Sequence, residues 1–470
     1  MTAAPIAFRS NPGRYSFIGT TDLVNCYAEK MDQDAKAPLA VLPCEGLVGF
    51  SDTEAGPCRG MIRCHDEDHF YSIHPSSAYR IDADGTATRI GTVPGVDPVQ
   101  MSCNQKDDPQ IVVVSEAMVQ VIESDSLSVV LDVDLPSPVV SADYVSGYTV
   151  YLIDDQRFFL SGINDSKEID ILDFDRFKQR PGTGRRVIEY NGELLGFGSN
   201  GSEVWRNTGN ADFPFDPIAF PSRGLLATHA VARCDNTLMF PGEDHNIYRL
   251  DNYNPIMLQS NDISRKMESD TDAEAMLGFG FDRGGHKFAC FKGSDWSRCY
   301  DAATQTWHTR QSYTQTKWRA QYSVTITDDV GVDRTIVGDA LSGKLFYLDR
   351  DTYTEDGETF VWKVISPPLH VFPNGAILDA VHFDLATGFG TMSGQGSNPK
   401  VMLRTSVDGG NTFNNYRELE LGTTGNYRAR ITARRLGRFG PRGVVFELSI
   451  SDPVARALVG CDVELRQLKR

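Results

Sequence analysis

Apolar and polar positions along this 470-residue chain recur with a period of roughly 40–50 residues. Seven times, a short apolar run is followed after a polar gap by an aromatic or β-branched run that ends in a polar turn. The pairs are 70–73 with 79–85, 111–114 with 119–122, 149–152 with 158–160, 194–197 with 204–206, 238–240 with 247–251, 288–291 with 298–301, and 335–337 with 345–349. Each pair has strand-length runs bounded by Gly, Asn, Asp and Ser, which is the pattern of a β-hairpin. A lone hairpin cannot bury its own apolar face. Several in series can, by packing side by side around an axis, and this predicts a β-propeller of six or seven blades. Such an array excludes the nucleotide-binding folds that need alternating strands and helices.

The pattern changes at both ends of the array. Residues 1–57 are rich in turn signals, lack the paired runs, and are expected to complete the propeller ring. The propeller itself is expected over 58–360. Beyond Pro367-Pro368 the runs lengthen and alternate between apolar and polar residues, at 380–385, 400–405, 416–421, 427–431, 443–450 and 461–465. That suits antiparallel strands with one buried face, hence a C-terminal β-sandwich over 361–470. Between the fifth and sixth pairs, 263–268 and 272–276 read as a short helical insertion. Thr271 is the expected cap of the second helix, with Glu274 completing a capping box.

Charge divides the chain along the same line. Residues 361–470 carry 14 Lys+Arg and 9 Asp+Glu, a net of +5, whereas the first 360 residues have a net of -22. An acidic propeller beside a basic domain suggests that the two parts face different partners. It also argues against ordinary nucleic-acid binding, in which a basic face supplies most of the affinity. No stretch approaches the ~20 apolar residues of a membrane span. The N-terminus lacks the basic flank and apolar core of a secretory signal, so folding in a reducing cytosol is expected. The nine cysteines form no C-x-x-C pair and read as small buried apolar residues.

Candidate chemistry is sparse. Residues 406–413 match the Asp-box pattern S-x-D-x-G-x-T-[WF], a turn-forming element met in sialidase propellers, but it occurs once and outside the propeller. Asp82-Ala83-Asp84-Gly85 starts like a calcium loop, yet its twelfth position is Val93, so a hairpin turn of type I′ or a related type is expected. Cys64, His65 and His69, with Asp66 and Asp68 between them, lack a fourth ligand for zinc. His229, His245, His286 and His308 are isolated. No nucleophile elbow, phosphate loop or metalloprotease helix occurs. No catalytic, cofactor-binding or metal residue is therefore assigned, and no enzyme activity is expected. The densest basic run comprises Arg428, Arg430, Arg434, Arg435, Arg438 and Arg442. Of these, Arg434, Arg435 and Arg438 are the candidate subunit-contact residues.

Two ends of the chain carry a family resemblance. Leu23-Val24-Asn25-Cys26-Tyr27-Ala28-Glu29, followed by Pro43-Cys44-Glu45-Gly46-Leu47, resembles the opening of the packaged-DNA stabilisation family of short-tailed phages, in which an N-x-(Y/L)-x-E segment precedes a P-G-(L/I) turn. Here Glu45 stands where that turn usually has Pro. Residues 383–388, the 406–412 segment, Leu436-Gly437-Arg438 and Asp452-Pro453-Val454 with Gly460-Cys461 are similar in order to the family's C-terminal domain. The resemblance implies a structural virion protein, the tail hub or nozzle, present as a homohexamer and assembled in the bacterial host cytoplasm. It implies as partners the head-to-tail adaptor, a tail needle or plug, and fibres or spikes, with genome DNA passing through without specific binding. It implies no cofactor. The competing readings are a propeller that binds or cleaves cell-surface glycans, and a cellular interaction scaffold.

Overall fold

The computed structural model describes residues 2–468 apart from 33, 66, 117, 131–133, 211 and 259. The described residues form seven four-stranded antiparallel propeller blades, five of them separate sheets and two continuous with further strands, joined to a two-sheet sandwich. Blade one is Gly60–Ile62, His69–His74, Ser77–Asp82 and Ala87–Thr92. Blade two runs from Gln100–Cys103 to Ser126–Val129, and blade three from Val139–Val145 to Asp165–Arg176. Blade four runs from Gly184–Tyr190 to Phe215–Ala219, blade five from Ala232–Cys234 to Asn254–Met257, and blade six from Leu277–Arg283 to Thr306–Thr309. In each blade, the two middle strands are the hairpin that the hydrophobic pattern marks. The first strand lines the central channel, and neighbouring first strands pack on one another around the axis.

The seventh blade closes the ring with distant sequence. Ala320–Thr327, Asp333–Asp339 and Lys344–Asp349 are completed by Gly46–Asp52, whose Leu47 lies opposite Leu348. Gly46 is required at the start of that strand. A Cβ there would come within 2.3 Å of the Thr352 carbonyl oxygen and 2.5 Å of that of Thr354.

The sandwich takes in the rest of the N-terminal segment. One sheet holds, in order, Cys26–Lys30, Leu39–Pro43, Leu458–Gln467, Ala376–Leu385 and Ile431–Phe439, with Thr2–Ala3 against Leu458–Gln467. The other runs Asp22–Val24, Trp362–Ile365, Val445–Ile450, Lys400–Ser406 and Arg417–Glu420. It is continuous with blade six, because Val24 pairs in parallel with Thr309. Leu378, Val381 and Val463 from the first sheet meet Leu403, Phe446 and Leu448 from the second in one core. Residues 1–43 carry equal numbers of basic and acidic side chains, so the sandwich as built keeps its net of +5.

Two local expectations are corrected and a third is narrowed. The second helical stretch is a single 3-10 turn, Ala273–Ala275, entered from Asp272 with no side-chain cap, and Thr271 is exposed. Asp270 explains this: its carboxylate accepts from Ser294 N and Trp296 Nε1, which ties the end of the α-helix Asn261–Ser269 to blade six and leaves little chain before Met276. The strand expected at 427–431 begins instead at Ile431 and runs to Phe439. Gly422 and Gly425 take positive φ, and the chain turns through 427–430 before Ile431 and Ala433 bury. The loop at Asp84 is a type I turn followed by Gly85 at φ 87°, with Gly85 N donating to Asp82 O and Asp82 N donating to Thr86 O.

Candidate assembly surface

The family-like N-terminal residues form the joint between propeller and sandwich. Asn25 sits at φ 56°, where an L-residue is uncommon and asparagine is the best tolerated. Its Nδ2 donates to the Gln311 and Val361 carbonyls at 2.8 Å each, and its Oδ1 accepts from Gln311 N at 2.9 Å. Its backbone N–H and C=O bond Thr309 and Cys44. Every polar group of Asn25 is thus used, and three of its bonds reach Thr309 and Gln311 at the end of blade six. Tyr27 packs edge-on to His286 and Phe288. Glu29 accepts from His286 Nε2 at 2.8 Å, while His286 Nδ1 meets Asp301 Oδ2 at 2.8 Å.

A second staple lies beneath. Arg310 Nη1 donates to Glu45 Oε2 at 3.2 Å and Nη2 donates to the Glu45 carbonyl at 3.1 Å, with both side chains buried. The guanidinium lies 4.0 Å from the centroid of the Trp318 ring. A proline at position 45 would supply no carboxylate to the buried Arg310. Glu45 and Arg310 therefore go together.

The hydrogen bond from His286 to Asp301 raises the His286 pKa above its ordinary value against the opposing effect of burial, with both carboxylates contributing charge. Burial pushes the Asp301 carboxyl up, but its bonds from His286 and Thr304 outweigh that and leave it below the usual range. His308, buried against Tyr27 and Phe288, is driven down to about 3 by desolvation and acts as an apolar ring.

The arginine run is split by the fold. Arg428 and Arg430 lie in the loop before Ile431–Phe439, and Arg442 lies over the Phe17 ring. Arg434, Arg435 and Arg438 are brought together on Ile431–Phe439, which is the outermost strand of its sheet, and all three are exposed. Arg435 is at φ 58°, where the register with Ala376–Leu385 shifts. Arg417, from the outermost strand of the other sheet, donates to the Arg434 and Arg435 carbonyls. The ion pairs of the sandwich are Lys36–Asp384, His382–Glu464, Lys400–Glu418, Arg404–Glu447 and Arg466–Asp379. Among the described residues, Arg434, Arg435 and Arg438 meet no carboxylate.

The remaining candidates are structural where the structure places them. Cys64 is joined to Cys103 by a disulfide between blades one and two, which corrects the reading of all nine cysteines as small buried apolar residues. The sequence gives no sign of it because the two are 39 residues apart and only the packing of adjacent blades brings them together. His65 Nε2 contacts the Asn104 carbonyl, and His69 contacts Asp68 and Glu67. Asp66 lies outside the described residues. In the Asp box, Asp408 accepts from Ser406 Oγ, Thr412 Oγ1 and the Asn411 and Thr412 amides. The bonds from Ser406 and Thr412 hold its carboxyl well below the usual range. Gly409 and Gly410 take positive φ and complete the turn. The central channel of the propeller has a volume of about 840 Å³ and is lined by both signs of charge, including Arg63, Arg186, Asp143 and Glu189. A space of that size accommodates a small molecule and not a duplex.

Known families account for both parts of this architecture. A family model described as Bacteriophage P22 Gp10, beta-propeller, matches residues 17–353, and one described as Bacteriophage P22 Gp10, beta-sandwich, matches residues 361–466. The chain belongs to the P22 Gp10 family. It is accordingly a phage tail hub structural protein, a component of the virion. No curated protein sequence matches it. Solved structures similar to the chain include the N-terminal domain of Nup159 (TM-score 0.41, 11% identity, covering 65% of this chain and 97% of that one). Others are YCF48 bound to D1 peptide (0.39, 13%, 65% and 94%) and the computationally designed Ika8 protein (0.38, 11%, 67% and 96%). At those scores they carry no argument about this Gp10-family chain. What sequence reading missed in it are the side-chain partners of Asn25 and Glu29, which lie more than 250 residues away, and the outer strand of blade three. The signal for the latter is visible in hindsight as acids interleaved with Ile169, Ile171, Leu172 and Phe174.

Proposed function

We propose that this chain is the ring-forming hub of a short phage tail, most simply six copies around the axis along which the genome leaves the head. The ring would continue the DNA channel below the head-to-tail adaptor, help retain packaged DNA, and carry the needle and fibres at its far end. The observation that supports this best is the charge layout. The propeller carries -22 with a central channel too small for DNA, while the outermost strand of the sandwich presents exposed arginines that meet no carboxylate among the described residues. A DNA path would then run between copies, along acidic surfaces that repel phosphates and so let DNA slide, whereas a basic wall would hold it through counterion release. The arginines are then subunit contacts and no phosphate clamp. The turn-forming role of the Asp box removes the one motif that favoured a glycan-directed reading, and no catalytic step is assigned.

The test is a chain with Arg434, Arg435 and Arg438 replaced by Ala. It should be incorporated poorly into tails, each arginine contributing ~1–3 kcal/mol through its charge pair. Normal incorporation together with altered DNA retention or ejection would place the arginines on the channel wall and overturn the assignment.

A further inference from the structure

The molecule carries opposite charge on the outermost strands at its two ends. Blades six and seven hold the sandwich, and blade three lies across the ring from both. Its outer strand, Asp165–Arg176, is twelve residues long and has no further strand beyond it. Pairing with Arg157–Gly162 holds at Ile169 and again at Phe174, so residues 170–173 step out from the edge. Leu172 is 78% and Ile171 47% exposed at that step. Glu168, Asp170 and Asp173 surround them and are also exposed.

At the other end, Ile431–Phe439 is the strand of its sheet furthest from the propeller, because Cys26–Lys30 at the opposite edge is the one that meets blade six. It presents Arg434, Arg435 and Arg438. The exposed aromatic pair Phe389 and Tyr427, with ring centroids 5.8 Å apart, lies beside its start. One edge therefore offers three carboxylates around an aliphatic step, and the other offers three guanidinium groups on a strand that follows an exposed aromatic pair.

We infer that the aliphatic step of blade three seats on the arginine edge of a second copy of this chain. This rests on the subunit-contact reading of the arginines and names their partner. Two acidic edges repel each other and so do two arginine edges, so only the mixed pairing is attractive. Arginine and aromatic side chains are the residues enriched at protein interfaces, and an aliphatic side chain left in water gains from being covered. Because the two edges lie at opposite ends of the molecule, the contact is head-to-tail. A repeated contact of that kind closes into a ring or runs on as a filament. A free edge with a bulge and charged residues also avoids indiscriminate strand pairing before the right partner arrives.

The test uses phage particles complemented with three chains: E168K/D170K/D173K, R434E/R435E/R438E, and the two sets combined. All six positions are exposed, and thermal melting of each purified chain checks that it folds. Each set alone should lower incorporation at least tenfold, and the combined chain should recover most of it. If the acidic-edge variant is incorporated normally while the arginine variant is not, the arginines meet another protein and the inference falls while the reading beneath it stands. If both are incorporated normally, the subunit-contact reading falls as well. A combined chain no better than either parent also overturns the pairing. Should charge reversal prevent folding, the chain L172C/R435C in oxidised particles should give a ladder of linked copies. Its absence from particles that contain the chain overturns the inference.

Discussion

Glu45 shows how much a single residue can determine in this fold. Its carboxylate is the buried partner of Arg310, and Arg310 in turn covers Trp318. Removing one member of a buried pair leaves the other charge uncompensated, so Glu45→Ala should destabilise the chain by about 3–5 kcal/mol in denaturant unfolding. Glu45→Ala combined with Arg310→Met should cost less than Glu45→Ala alone, and an equal or greater loss would show that the pair is not what holds the joint. His286 adds a pH dependence with a definite sign. Its pKa is raised in the folded state by Asp301 and Glu29, so its contribution is fully present below the unfolded value of about 6.5 and is lost as pH rises through the folded value. The stability difference between the native chain and His286→Gln should therefore be flat at lower pH and shrink above it. A difference that grows with pH would contradict a cationic His286.

At the scale of elements, the middle strands of the blades are legible in the sequence and the inner and outer ones are not. The reason is burial. A middle strand such as Tyr148–Ile153 or Glu193–Gly198 is covered on both faces by adjacent blades and reads as an apolar run. An inner strand such as Gly60–Ile62 or Ala232–Cys234 is three residues long and faces the channel, and outer strands such as Ala87–Thr92 are largely exposed. The seventh blade is legible only in part, since its closing strand comes from the start of the chain. The arginine edge is legible as a cluster but not as an edge, because the positive φ of Arg435 and the register shift beside it interrupt the two-residue alternation. Closure gives a prediction at this scale. Gly46→Ala drives a Cβ into the Thr352 and Thr354 carbonyls, which cannot swing away as a side chain could. The variant should lose about 1–3 kcal/mol and melt at a lower temperature, and an unchanged melting temperature would show that the closing strand can shift freely.

At the scale of the whole molecule, the two parts are one mechanical unit. The sheet continuous from blade six into the sandwich, the Asn25 bonds, and the Glu45 and His286 links all act at the same joint. An acidic propeller joined to a basic edge is suited to the head-to-tail contacts of the proposed ring of identical copies. The central claim is that such a ring surrounds the genome's exit path. A three-dimensional image reconstruction of the purified phage particle tests it most directly. The account predicts a closed ring of copies of this chain coaxial with the DNA density, with acidic propeller surface toward the DNA and the arginine edge of each copy against its neighbour. Copies found singly or as trimers on the outside of the virion, away from the axis, would contradict it.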